Sequence, residues 1–175
     1  MFKQPKLLIP HDVISKRVNE LANQISEDYK GKTITVVGVL KGAVIFLTDL
    51  VRHINVPVFL DFLEVSSYGD QTKSSGIVKI NKDLTHSIEG QNVLIVEDIV
   101  DTGLTMNYLI NNFQTRKPKS LKTCSLLEKT ETLKIKNNLD YKGFSVPNKF
   151  LVGYGLDFKG YFRNLNYIGF MDGVK

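Results

Sequence analysis

The fold of this chain is decided by one stretch, Val93-Leu-Ile-Val-Glu-Asp-Ile-Val-Asp-Thr-Gly-Leu-Thr105. Its first four residues are apolar and predict a strand that is buried on both faces, as in a parallel sheet. Beyond the short loop, apolar residues recur at helical spacing at Met106, Leu109, Ile110 and Phe113. A strand, a loop of small residues and a helix therefore follow one another. This order presents free backbone N–H groups and the positive end of a helix to an anion.

The polar groups of this stretch suit a ligand that carries both a phosphate and a sugar. Thr102 and Thr105 add hydroxyl donors, and Gly103 allows a phosphate to approach the backbone closely. Glu97 and Asp98 would repel that phosphate, so we expect them to face a ribose diol, a metal or a reacting base. The pattern indicates a phosphoribosyl ligand. The alternative is that Glu97 and Asp98 only end a strand and that Asp101 caps the helix.

The same stretch resembles the motif that binds phosphoribosyl pyrophosphate (PRPP) in the type I phosphoribosyltransferases. Its Glu-Asp-x-x-Asp-Thr-Gly-x-Thr form is similar to that of the hypoxanthine-guanine branch in particular. The resemblance implies an α/β fold, with a central twisted parallel sheet flanked by helices and a small hood built from terminal segments. It also implies transfer of the phosphoribosyl group from PRPP to hypoxanthine or guanine, with Mg²⁺ as cofactor.

The pattern along the chain agrees with such a fold. Strands are predicted at 33–40, 57–65, 77–80 and 121–127, and a helix at about 43–54. The order strand, helix, strand favours parallel pairing with right-handed crossovers. From about residue 140 the sequence changes to short aromatic segments with glycines, which we interpret as part of the hood, together with the N-terminus. We expect a single domain over 1–175. Ligands of open α/β sheets bind beyond the carboxyl ends of the strands.

The resemblance implies a role for each polar residue of the deciding stretch. Asp101 would perform acid–base chemistry, because the purine nitrogen loses a proton as the sugar passes through an oxocarbenium-like state. Glu97 and Asp98 would bind the ribose hydroxyls, directly or through Mg²⁺, which prefers carboxylate, phosphate and water oxygens. The phosphate would lie on the loop formed by Asp101, Thr102, Gly103, Leu104 and Thr105. Some relatives carry lysine at the position of Leu104, so phosphate contact there should be mostly through the backbone.

Two further segments are expected to hold pyrophosphate. Lys41 lies where a predicted strand gives way to a helix, and in the family a Leu-Lys-Gly segment binds pyrophosphate, so Leu40, Lys41 and Gly42 take that role. Arg163 matches another pyrophosphate contact, for which an arginine fork is well suited. The alternative for Lys41 is a solvated lysine beside a turn glycine.

Tyr68 lies near the start of a polar, turn-rich stretch at 66–76. The stretch resembles the mobile catalytic loop of the family, and loops of this length are often active-site lids. Closure would exclude water while a reactive sugar cation is exposed. The alternative is an ordinary surface turn.

The purine site is expected to combine one lysine with the segment 150–157. Lys129 resembles the lysine that contacts the purine 6-oxo oxygen, since an ammonium group has donors and no acceptor; otherwise it is a surface lysine. Phe150 would stack on the base, and the Leu151 backbone would meet its 2-position edge. Asp157 matches a carboxylate linked to the metal near the purine. The alternative for this segment is a core strand.

Composition restricts the remaining possibilities. The chain has 175 residues, 42% hydrophobic and 23% charged, as is ordinary for a globular protein. It contains no apolar run near the roughly 20 residues needed to span a bilayer, and its first residues lack a signal-peptide core, so the cytoplasm is the expected location. Cys124 is the single cysteine, which excludes an intramolecular disulfide and a multi-thiolate zinc site.

The net charge of +5 suits nucleic acid and a polyanionic substrate such as PRPP equally. The rival class is therefore a regulator on the same fold, in which nucleotide binding controls RNA contacts. Such a protein needs a continuous basic surface and an RNA affinity that falls steeply with salt. Lys129 and the segment 150–157 favour the enzyme, and they fit a uracil- or adenine-specific transferase less well. Family members usually form dimers or tetramers, so a homodimer or homotetramer is expected.

Overall fold

The computed structural model describes residues 4–67, 78–135 and 138–173. These residues form nine strands and three helices in the described ranges. In chain order they are β1 (Lys6–Ile9), α1 (His11–Asp28), β2 (Ile34–Leu40), α2 (Val44–His53), β3 (Val58–Ser67), β4 (Val78–Lys82), β5 (Asn92–Val100), α3 (Leu104–Thr115), β6 (Ser120–Glu128), β7 (Tyr141–Ser145), β8 (Phe150–Val152) and β9 (Ile168–Met171).

The main sheet has six strands in the order β4-β3-β2-β5-β6-β7. β2 pairs in parallel with both β3 and β5, and β6 pairs in parallel with β5 and β7. The predicted α/β fold with a parallel central sheet is confirmed. One strand departs from the prediction, because β4 runs antiparallel to β3 at the edge of the sheet. Antiparallel edge strands are common on otherwise parallel sheets.

Helices cover both faces of the sheet, and β5 explains how one strand serves both cores. Leu94 and Val96 lie in the core formed with α1 and α2, whereas Val93 and Ile95 lie in the core formed with α3. Successive side chains of a strand point to opposite faces, and each buried aliphatic side chain contributes roughly 1.5–3 kcal/mol. Within the described residues, no helix combines the length and the apolar character that a membrane span requires.

A second sheet forms the hood, with the strand order β1-β9-β8 and antiparallel pairing throughout. We predicted that the hood would begin at about residue 140. β7 instead extends the main sheet, since Tyr141 pairs with Cys124 of β6 and its side chain is buried. The hood strands therefore come from β1 and from the chain after Phe150. Their position brings the hood over the carboxyl ends of the main strands.

Candidate active site

A cleft of about 820 Å³ lies between the hood and the carboxyl ends of β2, β5 and β6. It gathers predicted site residues from four separate parts of the chain. Those that line it are Leu40, Gly42, Asp98, Asp101, Lys129, Phe150, Leu151, Asp157 and Arg163. Among the described residues that were predicted for the site, Glu97, Lys41 and the loop 102–105 do not line this cleft. Tyr68 lies outside the described residues.

The two adjacent carboxylates at the end of β5 occupy different environments. Glu97 is 5% exposed, and burial together with the charge of Asp98 raises its pKa to about 8. It continues the series of Val93 and Ile95, which faces α3, so it points away from the cleft. Burial raises the pKa of Asp98 to about 6, against hydrogen bonds from the backbone and the charge of Arg163. We predicted that both carboxylates would face the ligand; the structure places Asp98 at the cleft wall and turns Glu97 away from it.

Gly42 packs directly against the Asp98 carboxylate. A Cβ atom at position 42 would lie 1.7 Å from Asp98 Oδ2, so a side chain here would displace the carboxylate. The carbonyl oxygen of Gly42 in turn meets the hood, because a Cβ atom on Gly155 would lie 2.0 Å from it. Gly155 also has a φ of 102°, which glycine adopts without strain. Sheet and hood thus meet through backbone atoms at this point.

The neighbouring Lys41 has a different setting. The Leu40–Lys41 peptide bond is cis. The Lys41 side chain is 69% exposed, and its ammonium group lies 3.9 Å from the Glu64 carboxylate, an exposed pair of small energetic weight. Its charge is therefore available at the rim of the site rather than within the cleft.

The predicted phosphate loop connects β5 to α3. Gly103 precedes the first turn of the 12-residue helix with a φ of 79°, and Leu104 is the first helical residue. Leu104 N–H lies 3.5 Å from Thr102 Oγ1, at the limit of a hydrogen bond. The Thr102 carbonyl accepts backbone N–H groups from Lys134 and Ile135 at 3.0 and 3.2 Å. The loop is therefore tied to the segment that follows β6.

That segment also holds Asp101. Lys129 Nζ lies 2.8 Å from Asp101 Oδ2, and Thr132 Oγ1 donates to Asp101 Oδ1 at 2.6 Å. Lys129 is only 9% exposed, so this ion pair offsets the burial of its ammonium group. The predicted catalytic carboxylate and the predicted purine lysine thus form one ion pair. Sequence reasoning missed Thr132, and the available signal was its place three residues after Lys129, beyond the carboxyl end of β6.

The hood contributes a second ion pair. Arg163 Nη2 lies 2.6 Å from Asp157 Oδ1, and Arg163 Nη1 donates to the Gly155 carbonyl at 2.6 Å. Asp157 Oδ2 accepts the backbone N–H of Gly160 at 2.7 Å. We predicted separate roles for Arg163 and Asp157, and the structure shows that their side chains hold each other. An arginine fixed in this way can turn one face to an anion.

The aromatic part of the hood wall is formed by Phe150, whose ring meets Phe158 edge to face at 5.5 Å and 85°. Next to it, the buried Leu151 also lines the cleft. Lys149, which sequence reasoning did not include, lines the same wall with its ammonium group 3.7 Å from the centre of the Phe170 ring. This wall offers a ring face and backbone atoms to a planar ligand.

The predicted magnesium ligands were Glu97, Asp98 and Asp157. Within the described ranges, no cluster of three or more His, Cys, Asp or Glu side chains could hold a metal ion. Asp98 and Asp157 line the same cleft, and the charge of Asp157 acts on Asp98. Magnesium is commonly bound by one or two carboxylates together with substrate phosphates and waters. The donor set therefore fits an ion that enters with a phosphate ligand.

Comparison with known proteins identifies the class. Residues 10–159 match the sequence profile described as "Phosphoribosyl transferase domain". The chain belongs to the phosphoribosyl transferase family, and the resemblance in the β5–α3 motif is confirmed.

The relatives give a narrower description. The chain is 54% identical over 164 residues to a hypoxanthine-guanine phosphoribosyltransferase of Aquifex aeolicus, covering 93% of this chain and 92% of the relative. A crystal structure of a hypoxanthine-guanine phosphoribosyltransferase from Bacillus anthracis superposes with a TM-score of 0.92 at 45% identity, covering 96% and 99% of the two chains. A bifunctional TilS/HprT protein of Listeria monocytogenes is 47% identical over 166 residues, and this chain spans 26% of its length.

Proposed function

We propose that the chain transfers the phosphoribosyl group of PRPP to the 6-oxopurines hypoxanthine and guanine. The products are the nucleoside monophosphates, IMP and GMP, and pyrophosphate. The reaction depends on Mg²⁺ and serves purine salvage in the cytoplasm, in a homodimer or homotetramer. One observation carries the proposal: a carboxylate and a largely buried lysine, Asp101 and Lys129, lie 2.8 Å apart in a cleft that begins beside a phosphate-type loop.

The phosphate end of the substrate binds at the β5–α3 loop. Backbone N–H groups at the start of α3 and the helix dipole favour the 5-phosphate, and Thr102 and Thr105 add hydroxyl donors. Gly103, at a φ of 79°, leaves room for a phosphate oxygen against the backbone. Leu104 contributes its N–H rather than its side chain.

The base binds at the hood wall. Lys129 donates to the 6-oxo oxygen, which distinguishes it from the amino group of adenine, because an ammonium group cannot accept a hydrogen bond. Phe150 stacks on the purine ring, and the Leu151 backbone meets the 2-position edge. The edge-to-face contact with Phe158 supports this role because it fixes the ring of Phe150.

The reaction takes place between the phosphate site at the β5–α3 loop and the base site at the hood wall. The bond between C1 of the ribose and pyrophosphate breaks with its electron pair leaving on pyrophosphate, and the purine nitrogen forms the new bond to C1. The nitrogen loses its proton to Asp101, or Asp101 stabilises the charge that develops. The hood limits access of water to the sugar cation, which protects PRPP from hydrolysis.

Residues between these two sites would hold Mg²⁺ and the leaving pyrophosphate. Asp98 and Asp157 would hold Mg²⁺ beside the phosphate oxygens of the substrate, and the ion would supply positive charge to the leaving pyrophosphate. Arg163, the rim residue Lys41 and the backbone from Leu40 to Gly42 contact pyrophosphate. The geometry of Arg163 supports this, since its bond to the Gly155 carbonyl fixes the guanidinium at the cleft wall. Glu97, buried and with a raised pKa, acts on the ribose and the metal only through Asp98.

The test is a product assay with PRPP, Mg²⁺ and, in turn, hypoxanthine, guanine, xanthine, adenine and uracil. We expect monophosphate from 6-oxopurines, with no product when Mg²⁺ is chelated. Product from adenine or uracil alone would overturn the base assignment. No product from any base would overturn the enzymatic proposal and favour the regulator, which the relatives named above do not support. The matched control is the Asp101→Asn variant, which keeps the shape of the cleft.

A further inference from the structure

We propose that Thr132 is a positioning residue, which keeps the Asp101 carboxylate in place when Lys129 releases it to bind the purine. The inference rests on the proposed function, because it concerns the order in which Asp101 and Lys129 act. Both oxygens of the Asp101 carboxylate have hydrogen-bond partners. Oδ2 is taken by Lys129 at 2.8 Å, and Oδ1 is taken by the Thr132 hydroxyl at 2.6 Å.

Lys129 has two tasks in the proposed reaction. Its ammonium group pairs with Asp101 in this structure, and it donates to the 6-oxo oxygen in the proposed reaction. The Asp101 side chain is 47% exposed, so once the lysine turns to the base, packing alone does not hold it. The bond from Thr132 then becomes the contact that fixes the carboxylate. The same bond determines which oxygen reacts: Oδ1 remains engaged, and Oδ2 is released to face the purine nitrogen.

Thr132 can hold Asp101 because its own backbone is fixed. The segment 129–135, here called the strap, begins with a bond from Lys129 N–H to the Val100 carbonyl at 2.9 Å. Thr132 N–H donates to the Lys129 carbonyl at 3.3 Å, and Lys134 N–H donates to the Thr102 carbonyl at 3.0 Å. The strap is thus bound to the chain on both sides of Asp101. A side chain that projects from it has a defined distance to the carboxylate.

The hydroxyl itself has several acceptors within reach, namely Asp101 Oδ1 at 2.6 Å, the Asp101 carbonyl at 3.0 Å and the Lys129 carbonyl at 3.3 Å. A hydroxyl has one proton to donate, and charged acceptors form the shorter and stronger bonds. The carboxylate is therefore the partner, and the two carbonyls limit rotation of the hydroxyl away from it. Threonine adds a methyl group that restricts χ1.

The experiment compares Thr132→Val, which keeps the shape and removes the hydroxyl, with Thr132→Ser, which keeps the hydroxyl. A hydrogen bond to a charged group corresponds to a factor of roughly 10 to 100. We expect Thr132→Val to lose about that factor in kcat with hypoxanthine, while KM for PRPP and for hypoxanthine changes by less than about threefold. Thr132→Ser should restore most of kcat. A role limited to folding would instead lower the melting temperature without this selective loss of kcat.

A second pair of variants tests the same role if Thr132→Val fails to fold. Thr132→Ser and Thr132→Ala differ by the hydroxyl alone and should differ in kcat by a similar factor. Equal kcat within both pairs, in an active wild-type enzyme, would overturn the positioning role and leave the proposed function intact. Wild-type protein that forms no product with any base would overturn both. A loss in Thr132→Val that appears in KM for PRPP instead of kcat would also overturn the role, because it would place Thr132 at the phosphate.

Discussion

Asp98 and Asp101 lie three residues apart and line the same cleft, yet they are held in opposite ways. Asp98 packs against the backbone of Gly42, and its pKa is raised to about 6 mainly by burial. Asp101 is half-exposed, and side chains of Lys129 and Thr132 hold it. Backbone packing cannot be exchanged during a reaction, whereas a side-chain contact can. The cleft therefore has a fixed half, formed by Asp98 and Gly42, and an exchangeable half, formed by Asp101, Lys129 and Thr132. Each half can be tested separately.

The largest effect is expected in the exchangeable half. Asp101→Asn keeps the shape of the side chain but cannot accept the purine proton, so we expect kcat to fall by about 10²–10⁴ with little change in PRPP affinity. Steady-state kinetics and isothermal titration measure the two quantities separately. Asp98→Asn is the comparison variant and should weaken binding of PRPP and Mg²⁺ more than it lowers kcat. The same kinetic profile in both variants would break the comparison.

Next in size is a change to the fixed half. Gly42→Ala places a Cβ 1.7 Å from Asp98 Oδ2, so the carboxylate has to move. A displacement of about 1 Å at a reacting site can cost on the order of 100-fold, and we expect a loss of that order in kcat/KM for PRPP. The control is Gly90→Ala outside the cleft, which strains the backbone at a φ of 71° but brings a Cβ within 4 Å of no atom, so it should lower stability and leave kcat/KM unchanged. Unchanged kcat/KM in the Gly42 variant would show that Asp98 is not fixed by its packing.

A smaller effect is expected at Lys129. Lys129→Ala removes the donor to the 6-oxo oxygen, and we expect KM for hypoxanthine to rise about tenfold, as for one lost bond to a charged group. Discrimination against adenine should fall as well. Lys149→Ala is the control, because it removes a cleft lysine that contacts the Phe170 ring instead of Asp101. Equal changes in base kinetics in the two variants would remove Lys129 from the base site.

The smallest effect on turnover is expected from Glu97→Gln, which instead changes the pH dependence of stability. The folded-state pKa of about 8 lies above the ordinary value of 4.5, so the folded protein keeps a proton that the unfolded chain releases. The free energy of unfolding of the wild type should therefore fall as pH rises from about 5 to 8, by up to about 1.4 kcal/mol per pH unit. Glutamine has no such proton, so the variant should gain relative stability across that window.

Urea unfolding at pH 5, 6, 7 and 8, in metal-free buffer without PRPP, measures this difference. Glu89→Gln makes the same chemical change on an exposed side chain and serves as the control. A constant difference between wild type and Glu97→Gln at all four pH values would show that Glu97 is not the buried, protonated group described above.

The sequence predicted those parts of the site that are local in the chain. The strand, loop and helix start around Gly103 follow from periodicity and from residue chemistry within one short segment. The reach of Thr132 to Asp101 spans 31 residues and depends on how the strap folds back. The pairing of Arg163 with Asp157 depends on turns in the hood. Periodicity carries no information on such contacts, because they are set by tertiary packing.

The same limit applies to two differences in the fold. The continuous apolar run at the start of β5 predicted burial on both faces, but only the position of α3 decides that Glu97 turns away from the cleft. β7 carries an aromatic, glycine-containing sequence that resembles the hood segments, and its pairing with β6 places it in the main sheet. In both cases the missing information was which element packs against the strand.

The contact between Gly42 and Gly155 has a consequence for how this protein can diverge. Because backbone meets backbone there, the spacing between sheet and hood is independent of the side chains that line the cleft. Residues such as Lys149 and Leu151 can therefore be exchanged during evolution, and the ligands that the cleft accepts can change, while the distance between the two walls stays constant. The two glycines keep this spacing fixed, so the specificity of the cleft can change without a change in how the hood packs on the sheet.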